Sequence, residues 1–348
     1  MNKTGLILSW LILSSLTACS NTNTNAVTES TTETYVSSAS STSQTTEASS
    51  DGPVLRYPDT GAVSAGNEPT VTKAHIRLSD SGITIQGSGA SEDGSTLVIS
   101  EGGSYEITGS MTGQIYVAAP KDEEVELVLD NVTVKGSENT GSPLFVRSAD
   151  KVTVKMKKDT VNTFTDTAKY TLSGDDELTA CIYSKDDITF KGKGALIISG
   201  NYKNGIYSKN DVRIKGGDIT ITAVNDGITG KDSVRTEGGT VRISSGGNGI
   251  VSSNDGEDGR GLVAITGGTV DITSGGTDGS TAVCGVKAAQ AVQMGGGMLI
   301  VNSSGDGIHS SGTFTADGGE FSITSGDDAV HADGDITLND GVGMIINS

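Results

Sequence analysis

Asn204-Gly205-Ile206-Tyr207-Ser208-Lys209-Asn210-Asp211-Val212-Arg213-Ile214-Lys215-Gly216-Gly217-Asp218-Ile219-Thr220-Ile221 is the stretch that decides the fold. Its apolar residues come in three short bursts, Ile206, then Val212 and Ile214, then Ile219 and Ile221. Inside a burst they alternate with polar residues, the pattern of a strand with one buried face. Working outward, the same unit returns. The pairs Cys181-Ile182, Gly205-Ile206, Gly227-Ile228, Gly249-Ile250, Gly285-Val286, Gly307-Ile308 and Ala329-Val330 step by 24, 22, 22, 36, 22 and 22 residues. A second marker, Gly217, Gly239, Gly268, Gly297, Gly319 and Gly341, steps by 22, 29, 29, 22 and 22. A period near 22 with three strand bursts describes one rung of a coil stacked on its neighbours at ~4.8 Å. The expected class is all-β, a right-handed parallel β-helix, the hand following from the rule for parallel crossovers. An antiparallel sandwich is the competing reading.

Before residue 180 the pattern loosens, although Ile115-Tyr116-Val117, Leu127-Val128-Leu129 and Val152-Thr153-Val154 still read as strands. Irregular first rungs are therefore expected over 71–179 and regular ones over 180–348. The two markers split the surplus of the 36-residue step into two insertions. One holds Asn254-Asp255-Gly256-Glu257-Asp258-Gly259 and the other Thr277-Asp278-Gly279-Ser280. Such loops on a regular scaffold are where sites are usually built.

The amino terminus reads as an export signal over 1–18: Lys3, an apolar run from Leu6 to Leu16 too short to span a bilayer, and Leu16-Thr17-Ala18-Cys19. The last four residues resemble a bacterial lipobox, which implies lipidation of Cys19 and a place on the extracellular face of the cell membrane. An ordinary signal peptide is the alternative. Residues 19–70, rich in Ser and Thr, cannot bury a core and read as a disordered tether.

Asp and Glu number 43 against 24 Lys and Arg, a net charge of −19. Such a surface repels nucleic acid and anionic lipid, so the membrane is met through the anchor alone. The single tryptophan, Trp10, falls in the export signal. Any stacking on a sugar therefore uses Tyr, Phe or His. Cys181 and Cys284, four rungs apart, lie roughly 19 Å from each other and cannot bridge. The register places no histidine beside either.

If the isoleucine after each marker glycine points inward, the next column points outward: Tyr183, Tyr207, Thr229, Val251, Lys287, His309 and His331. Its Tyr and His rings suit a sugar face. Lys185, Lys209 and Lys231 follow two places on. Beside them stand Asp186, Asn210, Asp232 and Asn254, and a further column reads Asn204, Asp226, Asn248, Asp306 and Asp328. Asp and Asn are favoured at turns for structural reasons, yet oxygen ligands gathered from successive rungs also suit Ca²⁺. The expected ligands are Asp186, Asp187, Asp211, Asp226, Asp232, Asn254, Asp255 and Asp258, collected along one edge. Ligand contacts are expected from Tyr183, Tyr207, Lys185, Lys209, Lys231, His309 and His331.

At Asn204 to Asp211, Asn225 to Ser233 and Ala180 to Asp187, the chain resembles a bacterial family of carbohydrate-binding domain-containing proteins. Gly113 to Val117 and Ser148 to Val152 extend the likeness over about residues 75–330. The resemblance implies a β-helix akin to pectate lyases of polysaccharide lyase family nine, calcium sites, and affinity for cellulose and polygalacturonate. It implies no established catalysis. Asn248 departs from the family's usual Asp before Gly-Ile. Three functions follow: a polysaccharide-binding module using Ca²⁺, a calcium-dependent lyase with Lys209 or Lys231 as base, and a structural adhesin or spacer. Acidic neighbours such as Asp232 favour a charged lysine, which argues against the lyase.

Overall fold

The computed structural model describes residues 71–171, 177–257, 259–275 and 282–347. The export signal, the tether with Cys19, Asp258, and Thr277 to Ser280 of the second insertion lie outside the described residues. The described chain is all-β: 29 strands and no helix, in one sheet of 18 strands and another of 11. All pairings are parallel except two at the amino-terminal end. There Thr72–Leu78 pairs antiparallel with Thr84–Gly87, and Ala90–Asp93 with Thr96–Ile99.

The strand bursts form where alternation places them, and their register follows the marker spacing. Ile206 stands opposite Ile228, then Ile250, Val286, Ile308 and Val330 in the smaller sheet. In the larger sheet Ile188, Val212, Val234, Val263, Val292 and Phe314 form one inward column. Leu196, Ile219, Val241, Val270, Leu299 and Phe321 form another. All twelve of these side chains are buried. Each such burial contributes about 1.5–3 kcal/mol, so the columns carry the fold.

The architecture corrects the expected open right-handed β-helix of three separate strands per rung. Pairing runs from Glu124–Lys135 through the strands that begin at Lys151, Asp187, Asp211, Ser233 and Leu262 to Ala291–Ser303. It returns through those beginning at Thr269, Thr240, Asp218, Ala195 and Val161 to Glu124–Lys135. The circuit closes, so these twelve strands form a parallel barrel inside the larger sheet. The cause is local. Gly103–Thr112, Glu124–Lys135, Ala291–Ser303 and Thr313–Ser325 are single long strands that span two bursts each. In two of them marker glycines sit within the strand: Gly297 takes φ +83° and Gly319 φ +97°, so the chain bends without leaving the sheet.

Candidate functional site

The strands of the smaller sheet are short, three residues each from Ile228–Gly230 onward. The glycine before them is demanded by packing. A Cβ on Gly227 would sit 2.3 Å from Cγ2 of Ile243 and 2.7 Å from the carbonyl oxygen of Gly249. The middle residues of these strands stand in one register: Tyr116, Phe145, Tyr183, Tyr207, Thr229, Val251, Lys287, His309 and His331. Tyr183 and Tyr207 stack with centroids 5.2 Å apart and planes 9° off parallel, and His309 and His331 do so at 4.9 Å and 5°.

This column is less exposed than its outward position implies. Tyr183 is 3% and His309 6% exposed, and Thr229 is buried too, its hydroxyl without a hydrogen-bond partner. Tyr207, Val251, Lys287 and His331 are half-buried. Over Tyr183 the cover is a second apolar cluster of Phe145, Leu178 and Ala180, joined by Tyr116, Tyr170 and Tyr207. The hydroxyl of Tyr170 donates to the Asp166 carboxylate at 2.6 Å and pins this segment down. No period pointed to it, because the segment lies between rungs.

Along the leading edge of the strands, Asn and Asp side chains tie one rung to the next. Oδ1 of Asn204 accepts the amide of Asp226 at 3.2 Å, and Oδ1 of Asp226 accepts that of Asn248 at 2.9 Å. Oδ1 of Asn248 accepts the amide of Cys284 at 2.9 Å, and Oδ1 of Asp306 that of Asp328 at 3.3 Å. Asn248 therefore does the structural task of an aspartate here. Burial pushes the Asp226 carboxyl up, against the bonds from Asn248 and the charge of Lys287. Cys284 interrupts the carbonyl series.

At that interruption the structure gathers groups the register reading did not. One ligand atom each from Cys284, Asp306 and His309 lies within 4.8 Å of the others, as do carboxylate oxygens of Asp306, Asp327 and Asp328. The expectation that no histidine neighbours Cys284 is thus corrected. The signal was present: Cys284 stands one rung from Asp306, and His309 follows three residues later. Nδ1 of His309 meets Oδ2 of Asp306 at 2.9 Å, with both side chains buried. His331 meets Asp328 at 3.3 Å and Asp333 at 3.2 Å. Burial alone would lower the His331 pKa, but those carboxylates outweigh it and raise it. Cys181, elsewhere in the core, is a buried free thiol, and burial pushes it well above the usual thiol range.

The expected calcium ligands divide between the two edges. Asp226 stands before its strand. Asp186, Asp187, Asp211, Asp232, Asn254 and Asp255 follow theirs, so six residue steps, ~20 Å if extended, separate Asp226 from Asp232. Asp186 is buried in an ion pair with Lys121 and accepts the amide of Ala149 at 3.1 Å. Asp187 and Asp211 are ladder neighbours. The amide of Asp211 donates to Asp187 at 3.2 Å, and Ser233 donates its hydroxyl to Asp211 at 2.7 Å. Burial, then the charge of Asp211, push Asp187 up to about 6. Asp232 accepts from Asn254 at 2.7 Å and from Arg260 at 2.6 Å, and Arg260 also meets Glu257 at 3.1 Å.

The first insertion is bound to the next rung, because Gln290 donates to the carbonyls of Asn254 and Glu257 at 3.3 and 2.8 Å. Asp255, Lys209 and Lys231 are exposed and Lys185 is half-buried. Chemically, the arrangement offers a linear platform of rings and one lysine, bordered on both edges by carboxylates.

A family model described as carbohydrate-binding domain-containing protein matches residues 93–348. A protein of that same description from Acetivibrio thermocellus is 39% identical over 128 residues, 36% of this chain and 44% of the relative. The match thus spans less than half of that relative's length. A solved polysaccharide lyase-like protein from C. thermocellum, a gadolinium derivative, is 29% identical with TM-score 0.66, over 79% of this chain and 100% of its own.

Proposed function

The chain belongs to the carbohydrate-binding domain-containing protein family, and from that premise we propose that it is a cell-surface lipoprotein that binds an acidic polysaccharide with the help of calcium. One observation carries the reading. Tyr207, Val251, Lys287, His309 and His331 form a straight ladder along the smaller sheet, stacked rings at either end. A linear glycan laid along it meets the edges of stacked rings, with the phenol of Tyr207, the imidazole of His331 and the ammonium of Lys287 as polar groups, on strands spaced ~4.8 Å apart.

Calcium follows from charge. The acidic rails would repel a uronate chain, and a hard divalent ion taking six to eight oxygens relieves both sets of carboxylates. Asp187 and Asp211 supply two adjacent half-buried carboxylates, with Asp186 beside them. Burial and the charge of Asp211 already hinder ionisation of Asp187, a cost that a cation removes. The anchor at Cys19 places the module on the extracellular face of the membrane.

The lyase-like description of the solved relative favours a second reading, a calcium-dependent polysaccharide lyase with Lys209 or Lys231 as base. One experiment separates the two. The chain is incubated with polygalacturonate and Ca²⁺, and both pull-down and absorbance of unsaturated product are recorded. Binding without product is expected; product would establish the lyase, and neither would leave a structural spacer. Tyr207→Ala with His331→Ala is expected to weaken capture at least tenfold. A Cys19→Ser variant is expected to leave the membrane fraction.

A further inference from the structure

The larger sheet carries the reverse of the molecule's overall charge on part of its outer face. In register across neighbouring strands stand Lys155 and Lys191, and the amide of Lys215 bonds the carbonyl of Phe190, which continues that column by one strand. In the adjacent outward column Thr153 and Thr189 are followed by Arg213 and Arg235. Five cations thus occupy four adjacent strands at ~4.8 Å spacing. Among the described residues their carboxylate partners are two. Glu126 meets Lys191 at 2.8 Å and Lys155 at 3.9 Å, and Glu237 meets Arg213. Among the described residues the side chain of Arg235 bonds the hydroxyl of Ser233, at 3.3 Å, and the exposed ammonium of Lys215 has no partner.

Like charges directly opposite each other on neighbouring strands destabilise a sheet. Here that repulsion sits in a chain of net charge −19, whose other surfaces offer carboxylates in plenty. The glycine bends and inward columns need no basic residue at these positions, since an outward side chain does not enter the core. The Asp187 and Asp211 column borders the strip on one side, so the cations form a band and not a general basic surface.

We propose that this band is a second, calcium-independent binding surface for the same class of ligand, an acidic polysaccharide, whose carboxylates pair directly with Lys191, Lys215, Arg213 and Arg235. It rests on the reading of the protein as a binder of acidic glycan, but on different residues from the ring ladder. Arg235 and Lys215 supply the unmatched charge. A linear polyanion spans the strands, each strand presenting one cation or two, and counterions released from it drive binding and make it salt-dependent.

The test uses the full chain, polygalacturonate oligomers as probe and chelator throughout. Titration calorimetry is expected to show binding that weakens as salt rises, and no binding of neutral cellulose oligomers in this mode. Lys191→Gln, Lys215→Gln and Arg235→Gln combined should reduce chelator-resistant affinity at least tenfold and flatten the salt dependence. A Lys191→Arg, Lys215→Arg and Arg235→Lys variant should retain both, and unchanged melting temperatures establish that both variants fold. Absence of binding in chelator overturns the band, and so does binding unaffected by the glutamine variant. Equal binding of single-stranded DNA or phosphatidylserine vesicles would also overturn it as a glycan surface. The ladder is judged separately: if Tyr207→Ala with His331→Ala leaves calcium-dependent capture intact while the glutamine variant abolishes chelator-resistant binding, the ladder fails and the band stands.

Discussion

Asp187 is half-buried beside a like charge, and its carboxyl is raised to about 6 from an ordinary 3.8. Between those values the folded chain holds a proton that the unfolded chain has lost. Stability therefore falls as pH rises from about 4 to 6, and stays lower above it. Asp187→Asn removes that penalty, so in chelator it should raise the melting temperature at pH 7 and change little at pH 4. The same variant should weaken Ca²⁺ binding at pH 7, read by calorimetry. A lower melting temperature at pH 7 would show that the carboxylate is used otherwise. His331 runs in the opposite sense. Its pKa is raised above 6.5 by Asp328 and Asp333, so the stability it adds is present below that value and is lost as pH rises through the higher one. In Asp328→Asn the His331 midpoint, followed by proton NMR, should drop towards or below the ordinary value. An unmoved midpoint would mean the pair at 3.3 Å does not form in solution.

Among elements, the inward columns were legible because alternation and the 22-residue step specify them together. Ile221 is 1% exposed, while Tyr207 two strands earlier is half-buried in the facing sheet. Ile221→Ala should cost about 2–5 kcal/mol, and Ile221→Asp more, because an unpaired charge enters the core. Tyr207→Ala should cost about 1 kcal/mol or less. Equal losses in urea melts would invert the assignment of faces. What the pattern hid was the continuity of strands. A glycine pair between two bursts reads as a turn, but Gly295, Gly296 and Gly297 lie inside one strand from Ala291 to Ser303. The closed circuit of twelve strands was invisible for that reason. Gly297→Ala tests it: its φ is +83° and a Cβ would stand 2.7 Å from the Gly268 carbonyl oxygen. A cost of about 1–3 kcal/mol is expected, against a few tenths if the position were a free turn. The candidate site was legible as a column and not as a surface. Spacing aligned Tyr183 with His309, whereas the cover over Tyr183 comes from a segment outside the period.

Over the whole molecule, composition foretold an acidic body but not its partition. Carboxylates follow both edges of the smaller sheet, with Lys287 between them, while the larger sheet carries a band of neighbouring cations. A chain of net charge −19 stores self-repulsion that any salt screens, so stabilisation by calcium must be separated from screening. An ion that binds only the folded state stabilises it by about 2.7 kcal/mol at a hundred times its dissociation constant. Screening depends instead on ionic strength and does not saturate at a site. Melting curves are therefore compared in Ca²⁺, in chelator, and in NaCl and Mg²⁺ matched for ionic strength. A rise of several degrees confined to Ca²⁺, and reduced by Asp187→Asn with Asp211→Asn, is the expected outcome. Magnesium demands near-ideal octahedral geometry and sheds water reluctantly, so side chains fixed on neighbouring strands should serve it less well. Identical curves in Ca²⁺ and in matched NaCl would remove calcium from the mechanism and leave the glycan to be held by rings and cations alone.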